Sequence, residues 1–91
     1  MKGIVGRKKK YVDVIALASA KGEVTPLAVV WEDGRRFNVN EVLDARRAPS
    51  RKTGDTGMRY TIRVGEHITY LWHDEQQGLW FVEAKVIPML E

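Results

Sequence analysis

The clearest alternation of apolar and polar positions runs through Met58-Arg59-Tyr60-Thr61-Ile62-Arg63-Val64. Successive side chains of a strand point to opposite faces, so Met58, Tyr60, Ile62 and Val64 belong inward and Arg59, Thr61 and Arg63 outward. Earlier in the chain, Leu27 to Trp31 is apolar at every position, the pattern of a strand buried on both faces. It is followed by Glu32-Asp33-Gly34 and then by Arg35 to Val39, with Phe37 and Val39 on one face. Asp-Gly between two such runs predicts a hairpin, because the turn needs a positive φ that glycine adopts without steric cost. Tyr11 to Ala18 is a further β-rich run, joined to the next by a connection through Lys21-Gly22 and Pro26. Leu79 to Ile87 is the last strand, with Trp80, Val82, Ala84 and Val86 on one face, and Pro88 ends it.

Two stretches leave alternatives open. Asn38 with Glu41 three residues on resembles a helix capping box, and Asn40 to Ala48 is good helix material before Pro49. The same residues can continue the preceding strand past a bulge at Asn40, and this is the expectation, because strands on both sides leave little for a lone helix to pack on. The second stretch is the turn after Val64. Gly65-Glu66 suits a two-residue turn, which places Ile68, Tyr70 and Trp72 on the same face as Arg59 and Arg63. A three-residue loop instead pairs Val64 with Ile68, Ile62 with Tyr70 and Tyr60 with Trp72, all inward. A slip of one residue flips every side chain, so burial is expected to select the three-residue loop. Pro49 to Gly57, rich in Pro, Ser, Lys, Thr and Gly, is a loop. The fold class expected is all-β: about six antiparallel strands in a meander, curled into a small barrel or roll.

Ninety-one residues support one core, and 44% hydrophobic with 30% charged residues is a globular composition. The expected organisation is a basic, flexible N-terminal segment at 1–10 and a single β domain at 11–91. Lys8-Lys9-Lys10 ahead of an apolar stretch resembles the start of a secretory signal, but Asp13 cuts that stretch down to Val14–Ala18, too short for one. No segment is long enough to span a membrane as a helix. Without cysteine there are no disulfides and no thiolate metal sites, which fits a cytoplasmic protein. The net charge of +3 is unevenly spread. Met1 to Arg63 holds fourteen Lys and Arg against seven acids, whereas Val64 to Glu91 holds one against five. Such asymmetry implies a basic side and a polyanionic partner.

Catalytic chemistry finds little support. His67 and His73 flank one strand about 20 Å apart at ~3.3 Å per residue, too far to share a metal ion. Ser19 and Ser50 have no nucleophile motif around them, and the adjacent carboxylates Glu32-Asp33 and Asp74-Glu75 are explained by turns. Lys52 to Gly57 bears glycines but lacks the spacing of a phosphate-binding loop. No cofactor is expected, and the chain is expected not to be an enzyme. The best lead is basic. Arg46, Arg47, Arg51, Lys52, Arg59 and Arg63 fall close together with Asp55 as the one acid among Arg46 to Arg63, and Lys8, Lys9 and Lys10 offer an arm. Such a cluster suits salt-dependent contact with phosphates of DNA or RNA. Tyr60, Tyr70, Trp72 and Trp80 are interleaved with it, either as stacking platforms or as the core.

Pro26-Leu27, Val30-Trp31, Gly34-Arg35-Arg36-Phe37, Val42-Leu43-Asp44, Arg59 to Val64, Thr69 to Trp72 and Gly78 to Glu83 together resemble a family of small bacterial β domains of unknown function. Some members of that family are associated with translesion DNA polymerases, which implies DNA-related work. The resemblance covers about half of the chain and rests on hairpin and core residues. It implies a fold and no catalytic position. Two functions follow as expectations: a nucleic-acid-binding module using the cations named above, or a protein-interaction or self-assembly module using a sheet edge.

Overall fold

The computed structural model describes residues 6–49 and 56–86. All regular structure among them is β, in seven strands: β1 Gly6–Ala18, β2 Val24–Val30, β3 Arg36–Asn38, β4 Glu41–Pro49, β5 Thr56–Val64, β6 His67–Asp74 and β7 Leu79–Val86. They form one sheet in the order β3-β2-β1-β7-β6-β5-β4, with every neighbouring pair antiparallel. The strands β3 and β4 stand at opposite ends of that order, yet only Val39 and Asn40 separate them in the chain. The sheet therefore curls until its two ends meet, as a half-barrel.

Strands that change partner make the two corners of this curl, as in orthogonally packed sheets. The first half of β1, Gly6 to Val12, pairs with β7, and its second half, Asp13 to Ala18, pairs with β2. At the other corner consecutive amides bond to different strands: Val39 N–H donates to Leu27 O at 2.9 Å, and Asn40 N–H to Arg63 O at 2.8 Å. The curl brings β2 over β5. Val29 of β2 packs with Tyr60, Ile62 and Leu71 as the core, and Val12, Val14, Val42, Trp80 and Val82 lean on it. Tyr60 also donates its hydroxyl to Val24 O at 2.8 Å, tying the two sides together.

The hairpin at Asp33-Gly34 forms as expected. Trp31 and Arg35 enclose a three-residue loop, Gly34 takes φ +90°, and Asp33 Oδ1 accepts from Arg35 N–H at 3.0 Å. Of the stretch Asn40 to Ala48, everything from Glu41 on is strand rather than helix. The extra residue is Leu43, however, not Asn40, whose side chain instead accepts from Gly65 N–H and fixes the corner. The change of partner between β3 and β4 is why the count is seven strands rather than about six. Leu27 is not buried on both faces: it is the extra residue of a second bulge, between the pairs Ile15–Ala28 and Ala16–Pro26, and its side chain is exposed. Gly6 to Lys10 are part of β1, so the expected flexible segment 1–10 overlaps a strand, while residues 1–5 lie outside the described residues. So do residues 50–55 of the expected loop, and Ile87 and Pro88 at the expected end of the last strand.

The largest correction concerns the turn after Val64. It is the two-residue form, with Gly65 at φ +61° and Val64 paired to His67. Leu71, fully buried, is the core residue of β6 and sits opposite Tyr60. Ile68 and Tyr70 point outward and are 61% and 48% exposed. The expectation of a longer loop assumed that an outward Trp72 would be left wet. It is 3% exposed, because Phe81 of β7 lies parallel to it on the outer face. Turn chemistry and burial thus agree.

Leu71→Ala is expected to lower unfolding free energy by about 2–5 kcal/mol, while Ile68→Ala stays within about 0.5 kcal/mol. Equilibrium denaturation in urea checks both, and equal losses at the two positions would contradict the two-residue register. Tyr60→Phe leaves Val24 O without its donor and is expected to cost about 1–3 kcal/mol.

Candidate nucleic-acid interface

The register of four strand pairs places one row of residues across the outer face of the sheet. Tyr11 of β1 is opposite Phe81 of β7, Phe81 opposite Trp72 of β6, Trp72 opposite Arg59 of β5, and Arg59 opposite Arg46 of β4. Tyr11 meets Phe81 edge-on at 5.8 Å between centroids, and Trp72 and Phe81 stack at 5.9 Å with 2° between planes. Cations cover the rings: Lys9 Nζ lies 4.5 Å from the Phe81 centroid and Arg59 Cζ 4.4 Å from that of Tyr70. Such pairs are attractive because the ring face carries negative charge. Tyr11 and Tyr70 remain about half exposed, whereas Trp72 and Phe81 are buried. Arg59 Nε, Trp72 Nε1 and Glu83 Oε2, all on this face, are buried without a hydrogen-bond partner.

The electrostatics of the row are unbalanced at its arginine end. Like charges directly opposite one another in a sheet repel, and Arg46 faces Arg59. Asp44 relieves part of this through a 2.7 Å ion pair with Arg46 Nε. The hydrogen bond from Arg46 holds the Asp44 carboxyl below its ordinary pKa, burial opposes it, and the charges of Arg46 and Arg59 add to the lowering. Arg63 is shared between Glu41, at 3.4 Å, and Gly65 O, at 2.9 Å. Among the described residues Arg59 and Lys9 are the cations of this face with no carboxylate within ion-pair distance, each resting on an aromatic ring instead.

The expected cluster is thus divided. Arg46, Arg59, Arg63 and Lys9 share the outer face. Arg47 sits opposite Met58, on the other side of β4 from Arg46, and binds Glu75 at 2.7 Å. Lys10 also points away from the outer face, binding Glu32 at 2.9 Å with Trp31 beneath it. Lys8 is placed by its backbone, opposite Ala84. Arg51 and Lys52 lie outside the described residues. Of the expected aromatics, Tyr60 and Trp80 face the interior and touch at 5.6 Å, whereas Tyr70 and Trp72 are on the outer face. Tyr11 and Phe81 were not singled out in the sequence. The Gly65-Glu66 turn was the signal that could have found them, since its register sets the face on which they meet Trp72.

Elsewhere the polar groups do not converge. No three His, Cys, Asp or Glu side chains among the described residues could hold a metal ion together. His73 stacks on Trp80 at 4.1 Å and 11°, and its Nδ1 is buried without a partner. No helix among the described residues is long and apolar enough to cross a membrane. No protein family, curated protein or solved structure matches the chain.

Burial pushes the His73 imidazole below its ordinary 6.5, with the Glu75 and Asp74 carboxylates opposing the shift. The folded state therefore binds this proton less readily than the unfolded chain. Its contribution to stability is complete above 6.5 and is lost as pH falls through the depressed folded value. Urea denaturation from about pH 8 to about pH 5 is expected to show this decline in the wild type and a shallower one in His73→Gln. Identical profiles would rule the imidazole out as its source.

Proposed function

We propose that the protein is a non-enzymatic nucleic-acid-binding module whose interface is the outer face of β1 and β4–β7. The observation that carries this reading is the row Tyr11–Phe81–Trp72–Arg59–Arg46, in which aromatic rings give way to two opposed arginines. A phosphate between Arg46 and Arg59 replaces repulsion by two charge-assisted contacts. Arg63 and Lys9 extend the positive surface to either side, and the half-exposed Tyr11 and Tyr70 lie beside it. The phosphate contacts position the ligand without reading its sequence.

Fluorescence anisotropy with labelled oligonucleotides at several salt concentrations tests this. Binding is expected to weaken steeply with salt, and the log–log slope of Arg46→Gln/Arg59→Gln/Arg63→Gln to be smaller by about three on a duplex, each phosphate contact contributing about 0.9. Absence of binding at low salt to DNA and RNA, single- or double-stranded, would sink the proposal.

A second reading, self-assembly through a sheet edge, has its own observation. Asp13 to Ala18 of β1 pair only with β2 among the described residues, and the same stretch carries exposed Ile15 and Leu17. An unpaired edge beside apolar side chains is a template for another strand. On this reading sedimentation velocity shows concentration-dependent association, insensitive to salt and abolished in Ile15→Lys/Leu17→Lys. A monomer at all concentrations removes it.

A further inference from the structure

The strand registers isolate one part of the sheet from the rest. Gly6 to Lys10 pair with Val82 to Val86, and among the described residues neither segment has a second neighbour. On one side, β2 joins β1 only from Asp13 onward. On the other, β6 leaves β7 after Phe81. The result is a two-stranded ribbon leading away from the half-barrel. Its root is fixed by the Lys10–Glu32 ion pair and by Val82 packing on the core. Its composition is one-sided: Arg7, Lys8, Lys9, Lys10 and Lys85 against Glu83 alone. Arg7 and Lys85 are directly opposite in register, a second like-charged cross-strand pair.

We infer that this ribbon is a groove-entering arm and that the nucleic acid bound is double-stranded DNA; this rests on the nucleic-acid reading above and names its substrate. Five residue pairs extend about 14 Å at ~3.4 Å per step. The major groove of B-form DNA, ~12 Å wide and ~8.5 Å deep, admits a two-stranded ribbon. The major groove of duplex RNA is too narrow for side chains to read. A single strand would need several open stacking platforms, and two of the four outer-face rings, Trp72 and Phe81, are only 3% exposed. With the ribbon in the groove, the register positions of Arg7, Lys8 and Lys85 bring formal positive charge on both of its strands to the phosphates of the duplex. Lys9, at the junction, lies between the ribbon and the outer face, so the two basic surfaces form one track.

The test compares the full chain with Arg7→Gln/Lys8→Gln/Lys85→Gln on a labelled DNA duplex, an RNA duplex and a DNA single strand. Expected are at least about tenfold tighter binding of the DNA duplex and a log–log salt slope smaller by about three in the ribbon variant. If the variant loses its β circular dichroism, lysine-acetylation footprinting of the unmodified chain addresses the same question, with duplex DNA protecting Lys8 and Lys85. Unchanged affinity and slope in the folded variant, unprotected lysines, or preference for RNA duplex or single strand overturns the arm while leaving nucleic-acid binding intact. Failure to bind any nucleic acid overturns both, as does binding only to phosphatidylserine vesicles, which would assign the ribbon to a lipid surface.

Discussion

The amides of Val39 and Asn40 carry the constraint on which the architecture depends. Two consecutive N–H groups donate to strands on opposite sides of the molecule, Leu27 of β2 and Arg63 of β5. A flat sheet cannot satisfy both, so the backbone hydrogen bonds themselves demand curvature. The curl then places Val29 against Tyr60, Ile62 and Leu71 and gives the Tyr60 hydroxyl its acceptor on Val24. In so small a domain the core is thin, and a partly buried polar contact that also closes the curl is well placed to select one packing over its neighbours. Asn40 contributes twice, through its backbone to β5 and through its side chain to the Gly65 turn.

The same geometry separates two kinds of aromatic residue. Tyr60 and Trp80 fill the concave side, whereas Tyr11, Tyr70, Trp72 and Phe81 make a convex layer roofed by Lys9 and Arg59. Long basic side chains bury their stems on apolar rings while the charge stays near water. The convex face therefore presents cations above the buried rings of Trp72 and Phe81, with Tyr11 and Tyr70 half exposed beside them. At Lys9 and Arg59 the charge is supported by an aromatic ring, whereas at Arg46 and Arg63 a carboxylate shares the task.

Much of the fold could be read from single residues. The faultless alternation of Met58 to Val64, the Asp33-Gly34 turn and the apolar run around Ala28-Val29 each named a strand or hairpin that is present. What alternation cannot supply is the identity of a strand's neighbour. It assigns faces, and the exchange of partners at Val12/Asp13 and at Val39/Asn40 leaves no trace in polarity. Bulges are hidden for a related reason, since Leu27 and Leu43 look like core residues until the extra position turns them outward. Trp72 is a large apolar residue that polarity alone assigns to the interior, whereas Phe81 of the next strand covers it on the outer face. The basic cluster was legible as composition, but Arg46 and Arg47 are adjacent in the chain and face opposite sides.

The handover of β1 from β7 to β2 has a mechanical consequence. One continuous thirteen-residue strand serves both the ribbon and the barrel wall, and its hydrogen-bonding partner changes between Val12 and Asp13. A load applied to the tip of the ribbon is transmitted along that backbone to Val14, which leans on Val29 and the rest of the core. Bending concentrates where support passes from one neighbour to the other, so the ribbon behaves as a lever pivoted at this junction. Whatever grips its tip acts with that leverage on the most tightly packed part of the molecule.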